Sequence, residues 1–235
     1  ITDSNCNTMP IKPAFIHLRM HSEYSILDST IRIHDVVTKA VADQMPALAL
    51  TDLANLFGLV KFYQTAYKNG IKPILGCDIW IANESDQSKP IRLLVLCQTH
   101  AGYLLLSRLL SRAYRENQFQ GRAEIKESWL QPGDWGTEGL IALSGARLGD
   151  IGLSLLQNNI LQAEIQTQKW AALFPDRFYL EIQRDGHANE TMLVQHSLAL
   201  AKKFNLPVVA TQAVQFLNAE DYQAHEARVC IAEGY

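Results

Sequence analysis

The feature that most constrains the fold is a regular alternation of strand-like and helix-like segments along the chain. Short apolar segments rich in β-branched residues predict seven strands, at 15–21, 47–52, 73–81, 91–98, 140–144, 178–183 and 207–211. Helical periodicity predicts the intervening helices, at 31–43, 59–68, 102–115, 149–157, 161–173 and 191–204, with a last helix at 221–231. Strands that are apolar throughout are typical of sheets covered on both faces. The alternation therefore predicts an α/β fold with a parallel sheet.

Two architectures satisfy this pattern, a closed barrel and an open doubly wound sheet. A nucleotide-binding open sheet carries a glycine-rich loop after its first strand, and no such loop follows 15–21. The chain also contains no internal repeat, low-complexity tract or interdomain linker. These observations favour a single barrel domain.

Polar residues occur where the predicted strands end, namely Arg19 and His21, Asp52, Asp78, Glu181, Thr211 and Gln212. The carboxyl ends of parallel barrel strands form one rim, and active sites lie there. Within 15–21, strict alternation places His17, Arg19 and His21 on one strand face. Histidines spaced in this way suit a metal ion, but a guanidinium is permanently cationic and offers no lone pair. Arg19 therefore conflicts with a metal site.

Composition excludes several functional classes. The chain has 21 Lys and Arg against 24 Asp and Glu, a net charge of −3, which is unusual for a domain that binds nucleic acid unaided. No apolar run approaches the roughly 20 residues that cross a bilayer. The four cysteines form no CxxC pair, which argues against a zinc site. We expect a cytoplasmic protein with no membrane partner.

Four stretches of the sequence resemble a known family. Residues 17–28, 45–63, 71–78 and 206–217 are similar, in order and spacing, to the motifs of the PHP (polymerase and histidinol phosphatase) domain that begins the alpha subunit of bacterial DNA polymerase III. The resemblance runs from about Phe15 to the end of the chain. It implies a distorted seven-stranded (β/α)7 TIM-like barrel of PHP type over residues 15–235, preceded by an N-terminal tail at 1–14.

The resemblance also assigns the rim positions. In metal-binding members, histidines and carboxylates there hold up to three divalent ions, which polarise a phosphate and activate a water molecule. Here the matching ligand positions are substituted at Arg19, Leu53, Arg92, Ala213 and Gln215. Potential ligands remain at His21, Asp28 and Asp78, and Glu181 faces the rim without an assigned role.

These substitutions predict a vestigial pocket. A guanidinium among carboxylates forms bidentate pairs with them, so Arg19 or Arg92 is expected to pair with Asp28 or Asp78 where relatives hold an ion. We expect no catalytic residue, no bound metal and no other cofactor in this domain.

By resemblance, the parent protein is a DNA-directed DNA polymerase, a nucleotidyltransferase that uses magnesium and primer–template DNA. The domain itself is then expected to be a scaffold that docks the proofreading exonuclease subunit among other replisome subunits. Two alternatives remain open. One is a residual metal-dependent phosphoesterase or 3′–5′ exonuclease using His21, Asp28, Asp78 and Glu181, and the other is a free-standing barrel that binds a small molecule.

Overall fold

The computed structural model describes residues 15–84 and 86–234. Its strands are β1 Ala47–Leu50, β2 Lys72–Ile81, β3 Ile91–Cys97, β4 Gln118–Phe119, β5 Arg122–Ile125, β6 Leu140–Leu143, β7 Phe178–Gln183 and β8 Val208–Thr211. Its α-helices are α1 Ile33–Ala42, α2 Leu59–Lys68, α3 His100–Glu116, α4 Asp150–Leu156, α5 Ile160–Leu173, α6 Glu190–Phe204 and α7 Tyr222–Glu233. The predicted tail at 1–14 lies outside the described residues.

A leading segment, residues 17–21, closes the sheet. Strands β1, β2, β3, β6, β7 and β8 are hydrogen-bonded in that order. On one side of the segment, the Ala49 and Thr51 amides each donate to a segment carbonyl, at 2.9 Å. On the other side, the His21 amide donates to the carbonyl of Val214, just beyond β8, at 3.0 Å. The segment and six strands therefore form a ring of seven, and the predicted α/β class is confirmed.

The expectation of a parallel sheet is wrong at one strand. β3 runs antiparallel to both of its neighbours, β2 and β6. A parallel crossover needs roughly a dozen or more residues, and the link 82–90 is too short to supply one. The reversal has a consequence for the rim, because it places the start of β3, with Arg92, beside Trp80 near the end of β2.

The predicted first strand is also less regular than its sequence suggests. Within it, Met20 alone forms a bridge, a parallel one with Val214, and Phe15 is half exposed. Residues 115–139, which the sequence leaves irregular, contain the β4–β5 hairpin. β5 pairs with the far end of β2 through Trp80 and Ile81, outside the ring.

Apolar clusters pack against the outer surface of the ring and also fill its interior. A large outer cluster packs under α3, α4 and α5 and includes Trp170, Phe174 and Phe178. A second cluster, with Phe62 and Ile33, packs α1 and α2 against β1. A small third cluster, built on Leu94, Leu96 and Leu143, draws residues from the leading segment, β2, β3, β6, β7 and β8. It fills the barrel interior and so forms an apolar floor beneath the rim.

None of the helices in the described ranges is long and apolar enough to cross a membrane.

Candidate functional site

A buried ionic cluster lies at the rim. Arg19 comes from the leading segment, Asp78 from β2, Arg92 from β3 and Glu181 from β7, and His21 joins them from the end of the leading segment. Asp78 is completely buried. Arg92, which is the most exposed of the five residues, is only 8% exposed. Charges this deep in a protein are stable only when they are paired and hydrogen-bonded.

Arg19 is the centre of the cluster, and all three of its nitrogens are engaged. Nε donates to Glu181 Oε1 at 2.8 Å, and Nη2 donates to Oε2 of the same carboxylate at 3.0 Å. Nη1 donates to Asp78 Oδ2. Burial opposes the charged form, but the charges of Asp78 and Glu181 outweigh it and raise the pKa of Arg19 above its ordinary value.

Asp78 receives a second guanidinium from the reversed strand. Arg92 Nε donates to Oδ1 at 3.0 Å and Nη2 donates to Oδ2 at 2.5 Å, while the guanidinium carbon lies 4.6 Å from the centre of the Trp80 ring. Burial alone would raise the pKa of Asp78. The charges of Arg19 and then Arg92 outweigh burial and hold that pKa far below its usual range.

His21 connects Asp78 to a more exposed carboxylate. Its Nε2 lies 3.3 Å from Asp78 Oδ2 and its Nδ1 contacts Asp28, which also accepts from Gln215 Nε2 at 2.5 Å. Burial lowers the pKa of His21, but hydrogen bonds to Asp28 and Asp78 and their charges outweigh it, so the net shift is upward. With His21 protonated, three cationic groups face three carboxylates and the cluster is electrically neutral.

The raised pKa of His21 predicts a pH-dependent stability. A group whose pKa is higher in the folded state stabilises the fold fully below its unfolded value, about 6.5, and loses that contribution as the pH rises through the folded value. We therefore expect the free energy of unfolding to fall as the pH rises above about 6.5, and His21→Gln to lose part of this slope. Urea titrations across this pH range measure it. Exposed His34→Gln is the control, and an unchanged slope in His21→Gln would contradict the assignment.

Glu181 is saturated by further partners, of which the sequence placed only Thr211 at the rim. Besides Arg19, it accepts from the amide of Gly145 at 3.1 Å, from Gln183 Nε2 at 3.2 Å and from Thr211 Oγ1. Gln183 lies two residues along β7 and so shares the inward face of Glu181, which is the signal that identifies it. Gly145 has no comparable signal, because its backbone amide is the donor.

The predicted pairing of the arginines is confirmed for Asp78, which binds both of them, whereas Asp28 binds His21 and Gln215 instead. The substituted positions also lie at this rim: the backbone of Leu53 forms a parallel bridge with Asp78. Ala213 is exposed and lies between Thr211 and Gln215, each of which contacts a cluster carboxylate.

Asp52, another polar residue at the end of a predicted strand, has partners of its own. It accepts from the Ser22 amide at 2.6 Å and from the hydroxyls of Ser22 and Ser25, so it fixes the turn that follows the leading segment. His17 lies apart from Arg19 and His21, lining a separate cavity beside Met20.

These residues do not fit a divalent metal cluster. The carboxylate oxygens of Asp78 and Glu181 are the natural ligands, and both carboxylates are already engaged by guanidinium donors. Across residues 15–84 and 86–234, no three His, Cys, Asp or Glu side chains are placed to hold a metal ion. The arrangement forms a salt-bridged junction between the leading segment, β2, β3 and β7.

Fold and rim together define a ring-shaped α/β fold whose strand ends carry a buried polar cluster. An amidohydrolase from Chromobacterium violaceum, solved with bound sulfate and no metal, superposes with a TM-score of 0.56 at 15% identity, covering 92% of this chain and 97% of that one. Residues 17–185 match the PHP domain, and the chain belongs to the PHP family.

The curated relatives are longer proteins, and nearly all of this chain matches a part of each. It is 45% identical over 226 residues to the DNA polymerase III subunit alpha of Neisseria meningitidis serogroup A, covering 95% of this chain and 20% of the relative. Identity to the subunit of the same name is 42% in Pseudomonas fluorescens, over 94% of this chain, and 41% in Escherichia coli K12, over 95%. The chain spans about a fifth of the length of these relatives.

Proposed function

We propose that this chain is the PHP domain of a DNA polymerase III alpha subunit, and that its parent polypeptide is a cytoplasmic DNA-directed DNA polymerase. The parent then transfers nucleotides to primer–template DNA with magnesium held outside the domain. Identities of 41–45% across nearly all of this chain support the assignment.

Within that parent, the domain acts as a scaffold without catalysis of its own. The observation that carries this proposal is the saturation of Asp78 and Glu181 by Arg19 and Arg92. A phosphoesterase needs a Lewis acid or an activated water, and the rim offers neither a free carboxylate pair nor a metal-binding set. The same contacts join the leading segment, β2, β3 and β7, with Thr211 adding β8, so the cluster fastens the barrel together.

The outer surface of such a barrel remains available for binding. In the scaffold role, it docks the proofreading exonuclease subunit and positions it beside the polymerase, with other replisome subunits nearby. A rim that is internally neutralised is compatible with this role, because docking depends on a rigid surface and not on ions at the strand ends.

A metal and activity analysis tests the proposal on the full-length parent protein. We expect that no zinc or manganese is bound by the rim residues. Elemental analysis should therefore find the same metal content in wild type and in His21→Gln. We also expect no hydrolysis of bis-p-nitrophenyl phosphate, and co-elution with the exonuclease subunit on size exclusion.

Three outcomes would contradict the proposal. A stoichiometric ion lost in His21→Gln, together with phosphodiester hydrolysis lost in the same variant, would establish the residual phosphoesterase. Failure to co-elute with the exonuclease subunit would remove the docking role. A reading frame that encodes no polymerase would favour the free-standing barrel.

A further inference from the structure

Large apolar side chains are exposed in a row beside and along α2. Phe57, just before the helix, is 69% exposed, and Val60, Tyr63 and Tyr67 are 63%, 48% and 71% exposed. The last three are spaced i, i+3 and i+7, which places them on one helical face. The rings of Tyr63 and Tyr67 lie nearly parallel, with centroids 6.1 Å apart. Single exposed apolar residues are normal, but a contiguous row of them marks an interaction surface.

Two grooves on the α3 side extend this row into a larger surface. One groove, of about 700 Å³, is lined by Val60, Tyr63 and Tyr103, and by residues at the start of β2 and end of β3. The other, of about 410 Å³, is lined by Phe57, Tyr103 and Tyr114. Tyr103 lines both grooves, so they adjoin. We call this region the α2–α3 face, comprising Phe57, Val60, Tyr63, Tyr67, Tyr103, Tyr114 and the exposed faces of the two helices.

The two chain segments that carry this face are opposite in charge to the chain as a whole, and one of their cations, Lys72, lines a groove. Residues 57–72 and 100–115 contain six Lys or Arg and no Asp or Glu, although the chain carries −3 overall. The six are Lys61, Lys68, Lys72, Arg108, Arg112 and Arg115. Lys61 pairs with Glu23, and Arg112 pairs with Glu116 and Asp134. Within the described ranges the other four have no ion-pair partner, so they are available to a ligand.

We propose that the α2–α3 face binds an acidic, amphipathic segment of a separate protein. The aliphatic lining of the grooves, which includes Leu59, Ile74 and Leu75, suits the apolar side chains of a peptide. The unpaired cations suit its carboxylates, which would steer the encounter and fix its register. A nucleic acid fits less well, because the net charge of the chain, −3, repels its phosphates.

Site-specific photocrosslinking in the host cell tests this surface on the full-length protein. Tyr67 is replaced by p-benzoyl-phenylalanine, and the crosslinked segment is identified by mass spectrometry. The matched control places the same crosslinker at Leu161 on α5, which is similarly exposed at 69%. We expect a specific crosslink from position 67 to a segment of another protein that is rich in Asp, Glu and apolar residues, and none from position 161.

Charge reversal adds a second readout that does not depend on the identity of the partner. Lys68→Glu with Lys72→Glu should lower the crosslink yield at least about five-fold, as expected for two exposed charges worth several tenths of a kcal/mol each. The matched reversal Lys126→Glu with Lys202→Glu, elsewhere on the surface, should leave the yield unchanged. A crosslink within the parent polypeptide, to a second copy or to DNA, would overturn the proposal. So would the absence of a crosslink, or equal losses in the two reversals.

Discussion

Replacing Arg19 with methionine should destabilise the domain by about 3–5 kcal/mol, the cost typical of removing one partner from a buried ion pair. The variant leaves Glu181 without its bidentate partner and removes one of two guanidiniums from Asp78, at positions 2% and 0% exposed. Methionine preserves most of the side-chain length, so the loss reports charge and hydrogen bonding more than packing. Urea unfolding followed by circular dichroism measures it.

The matched control is Arg147→Met. Arg147 also pairs with a carboxylate, Asp185 at 3.4 Å, but its side chain is 37% exposed, and solvent-screened pairs contribute about 0–1 kcal/mol. A loss for Arg19→Met no larger than the loss for Arg147→Met would mean that the cluster does not hold the barrel together.

The stability of the fold at acid pH tests the contact between Arg19 and Asp78 independently. The depressed pKa of Asp78 means that its ionised form stabilises the fold above the unfolded value, about 3.9, and that this contribution is lost as the pH falls below it. Arg19 supplies much of that depression. The gap between wild type and Arg19→Met should therefore persist from neutral pH down to about pH 4 and shrink below it. A gap that stays constant to pH 2 would assign the destabilisation to lost packing instead.

The sequence predicted the α/β class and the ring of seven because both follow from local periodicity and from motifs that are contiguous in the chain. It did not predict the direction of β3, although the shortness of the link 82–90 carries that information. The β4–β5 hairpin was also missed, because its strands are two and four residues long and its pairing with β2 is decided by tertiary contacts.

The contacts at the rim were likewise predicted only in part. Arg19 and Arg92 were identified as substitutions because the resemblance fixed their positions, and their pairing with Asp78 follows from charge. The role of Glu181 was not assigned, since its main partner is 162 residues away in sequence. Asp52 was identified as a polar residue at a strand end, but its partners Ser22 and Ser25, about 30 residues earlier, were not predicted. Contacts between distant segments depend on how the barrel closes, which periodicity does not encode.

Restoring the substituted ligand positions should convert the salt-bridged rim into a metal site. The variant carries Arg19→His, Leu53→His, Arg92→His, Ala213→Asp and Gln215→His. Removing both guanidiniums frees the oxygens of Asp78 and Glu181, and the new imidazoles and carboxylate add donors beside His21 and Asp28. We expect zinc or manganese to bind with a Kd of about 1 µM or tighter, which corresponds to a favourable binding free energy of at least about 8 kcal/mol.

The informative comparison is with a variant that carries four of these substitutions and keeps Arg92. We call the two proteins the five-fold and the four-fold variant, after their numbers of substitutions. In the four-fold variant, Arg92 still donates to both oxygens of Asp78, at 3.0 and 2.5 Å, so the carboxylate most central to the site remains occupied. This variant should bind metal at least about a hundred-fold more weakly than the five-fold variant, as expected when a competing cation holds a ligand. Isothermal titration calorimetry measures both affinities.

Stability separates a rebuilt site from adventitious binding. Without metal, the five-fold variant should unfold at a lower temperature than wild type, because its carboxylates are then buried without cations. Added metal should raise that unfolding temperature by binding the folded state alone, and should leave wild type unchanged. If metal binds the five-fold variant without stabilising it, the ions lie outside the rim. If neither variant binds, the five positions do not converge on an ion, and the arginines replaced something other than a metal site.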